Sequence, residues 1–457
     1  MDKKIVFTVL FIFAAVGLLS ACTTKSEDAS ELVLGMDASE ETESFSQRTE
    51  LVYGMVGGVN ADSTSVIWNA IATFNQQNED YYVTIKNYDG NLDRLHADMT
   101  AGKGPDIIDM TYSEYYESYV KNGYLEDLTP YLEQSQYSDD IIWNVLDAYK
   151  INDGLYMFVP QFLLKGILIQ PDYEAEVEEW NMETFLALME ENQWEMDLFG
   201  AAGDPENLLR VLLYGRQEEF LDWENGEAYF DTEAFKELLE LCMEYAQAGW
   251  PDATDWTYAE RERNTLYKSV TYGKMFASYL FYADTYGREY SVYGYPTLSG
   301  QTYGVEACSA SCAIYSLSGN KEGAWEFIES LLWESNQKYS GFTDPGFPVR
   351  KSVLEELAKE AGDEQIASRG ELLTITESEI SILTDIIYNG NFSRTSIERD
   401  IWAIISEETA AYFAGEKAWR MWRRSYRAGY GLSCRNRIIQ KRFAGIPADR
   451  FFKLTFT

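Results

Sequence analysis

The chain has a single histidine, His96, in 457 residues. A multi-histidine metal site needs more than one chain of this sequence supplies, and a histidine-dependent triad would have to rest on His96 alone, so neither a catalytic residue nor a metal ligand set is expected. His96 falls in a helical pattern, Leu92 to Met99, where a lone histidine reads as a surface residue. Bases are also scarce. Thirty-seven Lys and Arg stand against 75 Asp and Glu, a formal net charge of −38. So acidic a body repels nucleic acid and anionic headgroups, which excludes nucleic acid as a partner. No GxGxxG and no GxxxxGK motif follows a strand pattern, so no phosphate-bearing cofactor is indicated. The five cysteines, Cys22, Cys242, Cys308, Cys312 and Cys434, show no spacing that demands a disulfide. Cys308 and Cys312 read as small apolar residues in an extended run, too far apart along a straight strand to bridge.

The N-terminal apolar run, Ile5 to Leu18, is shorter than a membrane span and follows Lys3 and Lys4. Leu19-Ser20-Ala21-Cys22 closes it with small residues and a cysteine. Basic start, apolar run and this box match a bacterial lipoprotein signal in which Cys22 becomes the lipidated first residue. The expected location is the extracytoplasmic face of the bacterial membrane, anchored by lipid without spanning it. Residues 23–50 are rich in Ser, Thr, Asp and Glu without apolar period and read as a flexible tether.

Aromatic residues are abundant at 15 %, with 33 Tyr and 12 Trp. They argue against disorder and would furnish an extended ligand groove as well as a core. From Glu50 the pattern is strand Glu50 to Met55, helix Asn60 to Asn78, strand Tyr81 to Asn87, helix Leu92 to Ala101 and strand Ile107-Ile108. The first helix places Val66, Ile67, Ala70, Ile71 and Phe74 on one face. This is a β-α-β-α-β half of an α/β fold. The stretch Ala101 to Glu133 organises it. Gly102-Lys103-Gly104-Pro105 ends a helix, Asp106 to Met110 makes a strand, and Thr111 to Glu114 forms a loop before a helix ending at Gly123. Such a loop, at the carboxyl end of a parallel strand, is where open sheets bind ligands. It offers an aromatic face, Tyr112, hydroxyls, Thr111 and Ser113, and a carboxylate, Glu114, the set that suits a sugar ring. The same loop also fits an ordinary turn with a half-buried tyrosine.

Gly154 to Asp172 is a long apolar run broken at Pro160, as expected of a chain crossing between two domains. Helices are expected over Glu183–Asn192, Leu208–Gly215, Thr232–Ala248, Ala259–Ser269, Asn320–Leu332, Ser352–Ala361, Glu377–Tyr388 and Ile397–Gly415. Strands are expected over Gly273–Tyr279 and Tyr290–Tyr295.

Several pieces, in order over about residues 50–417, resemble one family. They are the lipobox and tether, GKGPDIIDM, GYLEDLTPYLE, GLYMFVP, GKMFASYLF, YGYPTLSG, YGVEACSASCAIYSLSGNKEGAWEFIESLL, GFPVRKSVLEE and AAYFAGEK. The family is that of the extracellular solute-binding proteins of ABC importers, in the sugar-binding class typified by maltodextrin-binding protein. The resemblance implies an α/β fold of the type II periplasmic-binding-protein kind, with two lobes, a multi-strand hinge and a cleft. It assigns 51–160 with 307–332 to lobe one and 164–303 with 335–417 to lobe two. It further implies capture of a small solute, a sugar or oligosaccharide, for delivery to transmembrane permease subunits, with no catalysis and no cofactor. By position the site draws on the residues after the first strand, Val56 and Gly57-Gly58, and on Thr111, Tyr112 and Glu114. Gln161, Phe162 and Lys165 join them at the crossing, with Phe281 and Tyr282 from the second lobe and Phe347 as a further candidate. The competing classes are a glycoside-hydrolase-like enzyme using a carboxylate pair, for which Glu178-Glu179 and Glu190-Glu191 sit in helical stretches with surface explanations, and an adhesin without a small ligand.

The end of the chain differs from the rest. Residues 417–457 hold eleven of the bases and one acid, Asp449, so the tail carries +10 against −48 for the remainder. The resemblance stops after AAYFAGEK in mid-helix. Read out of frame with allowed codons, the last base of Lys417, the codons of Ala418 to Gly429 and the first two bases of Tyr430 can encode SVEDVAAVIQSRV, an amphipathic helix. Residues 418–457 are therefore expected to be an aberrant basic tail from a shifted reading frame.

Overall fold

In the computed structural model the described residues are 47–56, 66–110, 115–169, 179–191, 204–213, 216–222, 227–247, 267–272, 291–297, 300–308, 310–339, 346–362, 365–368, 371–394 and 399–416. Apart from Gln47 they belong to one compact unit, Arg48–Thr457.

The chain opens with β1 (Thr49–Met55), α1 (Val66–Gln77), β2 (Tyr81–Asn87), α2 (Leu92–Thr100) and β3 (Ile107–Asp109), followed by α3 (Tyr116–Lys121), α4 (Thr129–Gln134) and α5 (Trp143–Asp147). The long strand β4 (Gln161–Ile169) leads to α6 (Met182–Glu191), α7 (Pro205–Leu213), α8 (Gln217–Phe220), a small pair β5 (Leu221–Asp222) and β6 (Glu227–Ala228), and α9 (Glu233–Gln247). Next come β7 (Tyr267–Tyr272), β8 (Ser291–Tyr293), β9 (Tyr295–Thr297), β10 (Gly300–Ala307) and β11 (Cys312–Ile314). The remainder is α10 (Lys321–Ser330), α11 (Glu334–Lys338), β12 (Phe347–Pro348), α12 (Lys351–Ala361), the hairpin β13 (Gln365–Ser368) and β14 (Glu371–Thr374), α13 (Glu377–Asn389), β15 (Phe392–Arg394) and α14 (Arg399–Phe413).

The first sheet runs β11-β3-β1-β2. β1 is parallel to both β2 and β3, as two successive β-α-β units require, while β11 returns from far along the chain and pairs antiparallel with β3, Ile314 opposite Ile107. The face of α1 read from the sequence, Val66, Ile67, Ala70, Ile71 and Phe74, is the buried one. The Gly-Lys-Gly-Pro turn works as its residues dictate. Gly102 has φ +71°, which a side chain would strain, and it stops α2. Pro105 packs directly over Gly54 of β1, where there is no room for a Cβ. Asp106 then joins the strands to α10. Its Oδ2 accepts from the Val52 amide at 2.9 Å, and its Oδ1 accepts from Ser318 Oγ at 2.5 Å.

The second sheet is built on β4. Its order is β12-β4-β10-β15, with β7 and β8 also paired to β4 and β9 to β10. The described buried side chains fall into two clusters. One runs from Leu51 to Leu164 and from Tyr303 to Ile387; the other holds Ile167, residues from Trp180 to Cys242, Tyr295, and Ile401, Ile404 and Ile405. β4 passes from the first into the second, since Phe162 and Leu164 belong to one and Ile167 to the other.

One expected helix is corrected. Tyr267-Lys268-Ser269, at the end of the stretch expected to be helical over Ala259–Ser269, is the start of β7. Six residues, YKSVTY, pair antiparallel with β4 from Leu164 to Ile169. Sheet pairing and a β-branched and aromatic composition outweigh the local helical spacing. The strand expected over Gly273–Tyr279 lies outside the described residues.

Candidate functional site

Because β1 and β3 are parallel neighbours, Val56 and Met110 stand at the same end of the sheet, where the two strands finish. Asp109 ties these two exits together. It is buried, and its Oδ2 accepts the Val56 amide at 3.1 Å. Met110 is held in turn by a bond from its amide to Ser311 O, 2.8 Å, on the approach to β11. Thr111, Tyr112 and Glu114, with Gly57-Gly58, follow these two exits in the sequence and lie outside the described residues. Phe281, Tyr282 and Cys22 are outside them as well.

Helix α3 is fixed from below. Tyr116, at the start of α3, is fully buried; its hydroxyl donates to Tyr149 O at 2.8 Å and accepts from the Tyr156 amide at 3.1 Å. Burial pushes both the Tyr116 and Tyr149 phenols up, so they stay neutral donors. Glu117 is 4 % exposed and meets Arg394 of β15 at 2.7 Å. The guanidinium lies over the Tyr116 ring, 5.3 Å from its centroid. Burial pulls Arg394 toward deprotonation, but Glu117 and the phenol Tyr116 more than offset it, and the group is held above its ordinary value. Arg394 Nη1 has no hydrogen-bond partner.

At the crossing, Gln161 and Phe162 are enclosed. Gln161 is 0 % exposed, and its Nε2 donates to Asn336 O and Gln337 O at 3.1 Å and to Tyr339 O at 2.9 Å, gathering the end of α11 under β4. Phe162 is fully buried against Phe347, 5.8 Å between centroids, with the two residues opposite each other in the β4–β12 pair. Lys165 is different. Its side chain is 23 % exposed and forms an ion pair with Glu306 of β10. The Cα register places Lys165 opposite Gly304 and Leu163 opposite Glu306.

Three charged residues of this region, Glu117, Glu306 and Arg394, escape sequence reading, because their partners lie on elements distant along the chain. Glu306 does carry a signal, since it is the one charge in the otherwise alternating YGVEA strand. His96 is also corrected. It is not a surface residue but half buried, with Nε2 2.7 Å from Tyr119 Oη and its ring edge-on to Tyr115 and Tyr119. Burial holds its pKa below 6.5. Cys242, Cys308 and Cys312 are buried thiols, and Cys308 and Cys312 flank a turn in which Ser311 N reaches Cys308 O at 3.4 Å. Among the described residues no group of three or more acids, cysteines and histidines is placed to hold a metal ion, and no helix is long and apolar enough to cross a membrane.

Residues 69–369 match the family model described as bacterial extracellular solute-binding protein. Among curated proteins none matches the sequence. Among the solved structures that share the fold are the following two. The sugar-binding protein MalE from the phytopathogen Xanthomonas citri superposes with a TM-score of 0.59 at 15 % identity, over 87 % of this chain and 99 % of that one. An ABC transporter solute-binding protein from Thermotoga lettingae TMO, bound with alpha-D-tagatose, gives 0.50 at 16 % identity, over 85 % and 100 %. Both are mixed α/β proteins of the type II periplasmic-binding kind, and the present chain has that fold.

Proposed function

Since the chain belongs to the bacterial extracellular solute-binding proteins, we propose that it captures a sugar or oligosaccharide and delivers it to the transmembrane permease subunits of an ABC importer. The observation that carries this reading is the strand β4, which runs out of one hydrophobic core into another while pairing with β10 on its return. A strand shared in this way lets two bodies rotate about it and close on a solute. In this reading the lobes are 51–160 with 307–332 and 164–303 with 335–417, although Val349, Leu354, Leu383 and Ile387 pack into the first core. Capture is non-covalent, and the chain carries out no catalysis.

Tyr112 supplies the stacking face, and Thr111 and Glu114 bond the ring hydroxyls from the loop after β3. Lys165 reaches the solute from β4, and Phe281 and Tyr282 close over it as a second aromatic surface. Gln161 and Phe162, being enclosed, hold β4 in register beneath Lys165. A lipid on Cys22 holds the protein at the outer face of the membrane, and 23–50 is its tether. Of the two similar structures, one is of a sugar-binding protein and the other holds tagatose, which supports a carbohydrate as the class of solute.

A thermal-shift screen of neutral carbohydrates on the mature chain tests the proposal, because a ligand bound to the folded form raises its melting temperature. A concentration-dependent rise with one sugar and no release of reducing ends supports capture. Appearance of reducing ends overturns it in favour of hydrolysis, and no shift with any sugar overturns the carbohydrate assignment.

A further inference from the structure

Residues at paired Cα positions on adjacent strands point to the same side of a sheet, and their neighbours in sequence point to the other. Gly304 of β10 pairs with Lys165 of β4 on one side and with Ser393 of β15 on the other. Lys165, Gly304 and Ser393 therefore form one row across three strands. Glu306 shares that face, two residues along β10, and its carboxylate is paired with Lys165. The adjacent row, Leu164, Val305 and Arg394, faces the other way, with Leu164 and Val305 buried in the first core. Gly304 contributes no side chain, so the row has a gap between an ammonium and a hydroxyl.

Two features of this face call for a ligand. Ser393 Oγ is withdrawn from water yet has no hydrogen-bond partner, which is costly in a folded protein unless a partner arrives. The Lys165–Glu306 pair remains accessible, with side chains 23 % and 46 % exposed. A solute hydroxyl is both donor and acceptor. It can give its hydrogen to Glu306 and receive one from Lys165 without separating the pair. A carboxylate on the solute has no hydrogen to give, so it meets the Glu306 carboxylate as a like charge while approaching a chain of net charge −38.

We propose that the row Lys165, Gly304 and Ser393, with Glu306, is the polar floor of the solute site and selects an uncharged polyhydroxylated ring over its acidic counterpart. The inference rests on the sugar-capture reading and adds two contacts, Glu306 and Ser393, and a charge rule to it.

The test uses the mature full chain in calorimetric titrations with mono-, di- and trisaccharides of glucose, galactose and mannose, each set against its uronate counterpart. The wild type is expected to bind at least one neutral member and to favour it more than tenfold over its uronate. Glu306→Gln frees Lys165 and is expected to narrow that preference at least tenfold. Ser393→Ala is expected to weaken the neutral sugar several-fold and leave the preference alone. Melting temperatures of both variants check that the fold persists; Glu306 is nearly half exposed, so Glu306→Gln leaves the core intact. If the wild type binds a neutral sugar and neither variant changes affinity or preference, this face is not the floor, and the sugar-capture reading survives without it. If the wild type prefers the uronate, the charge rule is wrong. If it binds no sugar at all, both fall.

Discussion

Arg394 and Glu117 meet at 2.7 Å with both side chains largely withdrawn from water, and they join β15 to the first turn of α3. Removing one partner leaves an uncompensated charge inside the protein, which costs about 3–5 kcal/mol. Arg394→Met and Glu117→Gln are each expected to lower the denaturant midpoint strongly, and the double variant to recover part of the loss. Equilibrium urea unfolding of the three variants checks this; additive losses would show that the two residues act independently.

His96 sets a pH dependence. Burial lowers its folded pKa below the ordinary 6.5, so near and below that pH the unfolded chain binds more protons than the folded one. The contribution of neutral His96 is then present in full above about pH 6.5 and lost as pH falls below it. His96→Gln is expected to flatten the fall in melting temperature between about pH 7 and pH 5.5, the range around the ordinary histidine pKa. An unchanged slope would assign the fall to the carboxylates.

Tyr112→Ala is expected to weaken binding of whichever sugar the thermal-shift screen identifies by about 1–3 kcal/mol, the scale of a lost aromatic contact, without lowering the melting temperature. Isothermal titration reads it directly, and an unchanged Kd removes Tyr112 from the site.

Cys22→Ser is expected to release the protein to the medium or leave an unprocessed precursor. Fractionation of cells into membrane and supernatant, followed by mass measurement, distinguishes these from a chain that stays lipid-anchored by some other route.

Deleting 418–457 is expected to leave sugar binding and melting temperature unchanged, as suits a segment read from a shifted frame. Resequencing the gene from independent isolates is the direct check. An intact frame, or loss of binding on deletion, overturns that reading.

What is legible in the sequence is what depends on near neighbours. The apolar face of α1, the stop at Gly102 and the strand at Ile107 follow from spacing and turn chemistry, and all three stand. The capping box of α13, where Thr376 Oγ1 accepts the Glu379 amide at 3.3 Å and Glu379 returns the bond, is equally local. What depends on distant pairing is hidden. Nothing near Tyr267 says that it will lie opposite Ile169, and so the local spacing suggests helix where a strand forms. Nor does the run around Asn391 show that Arg394 will find Glu117. Gln161 illustrates a third case, in which position along the family's motifs points to a solute while the side chain is spent on three backbone carbonyls.

The antiparallel pairing of β11 with β3 has a consequence in time. Ile107 has no partner on that side until Ile314 has been delivered, and a secreted chain leaves its export channel N-terminus first. The first three strands thus emerge with one edge of β3 bare, and such an edge is a template for wrong pairing. Closing so long a loop is also slow. Export of this protein should therefore pass through an interval in which the early strands depend on a chaperone or on the speed of the following chain, and Ala313→Pro, which lacks the N–H that faces Ile108 and so cannot complete the ladder, should accumulate as aggregate and not as soluble unfolded chain.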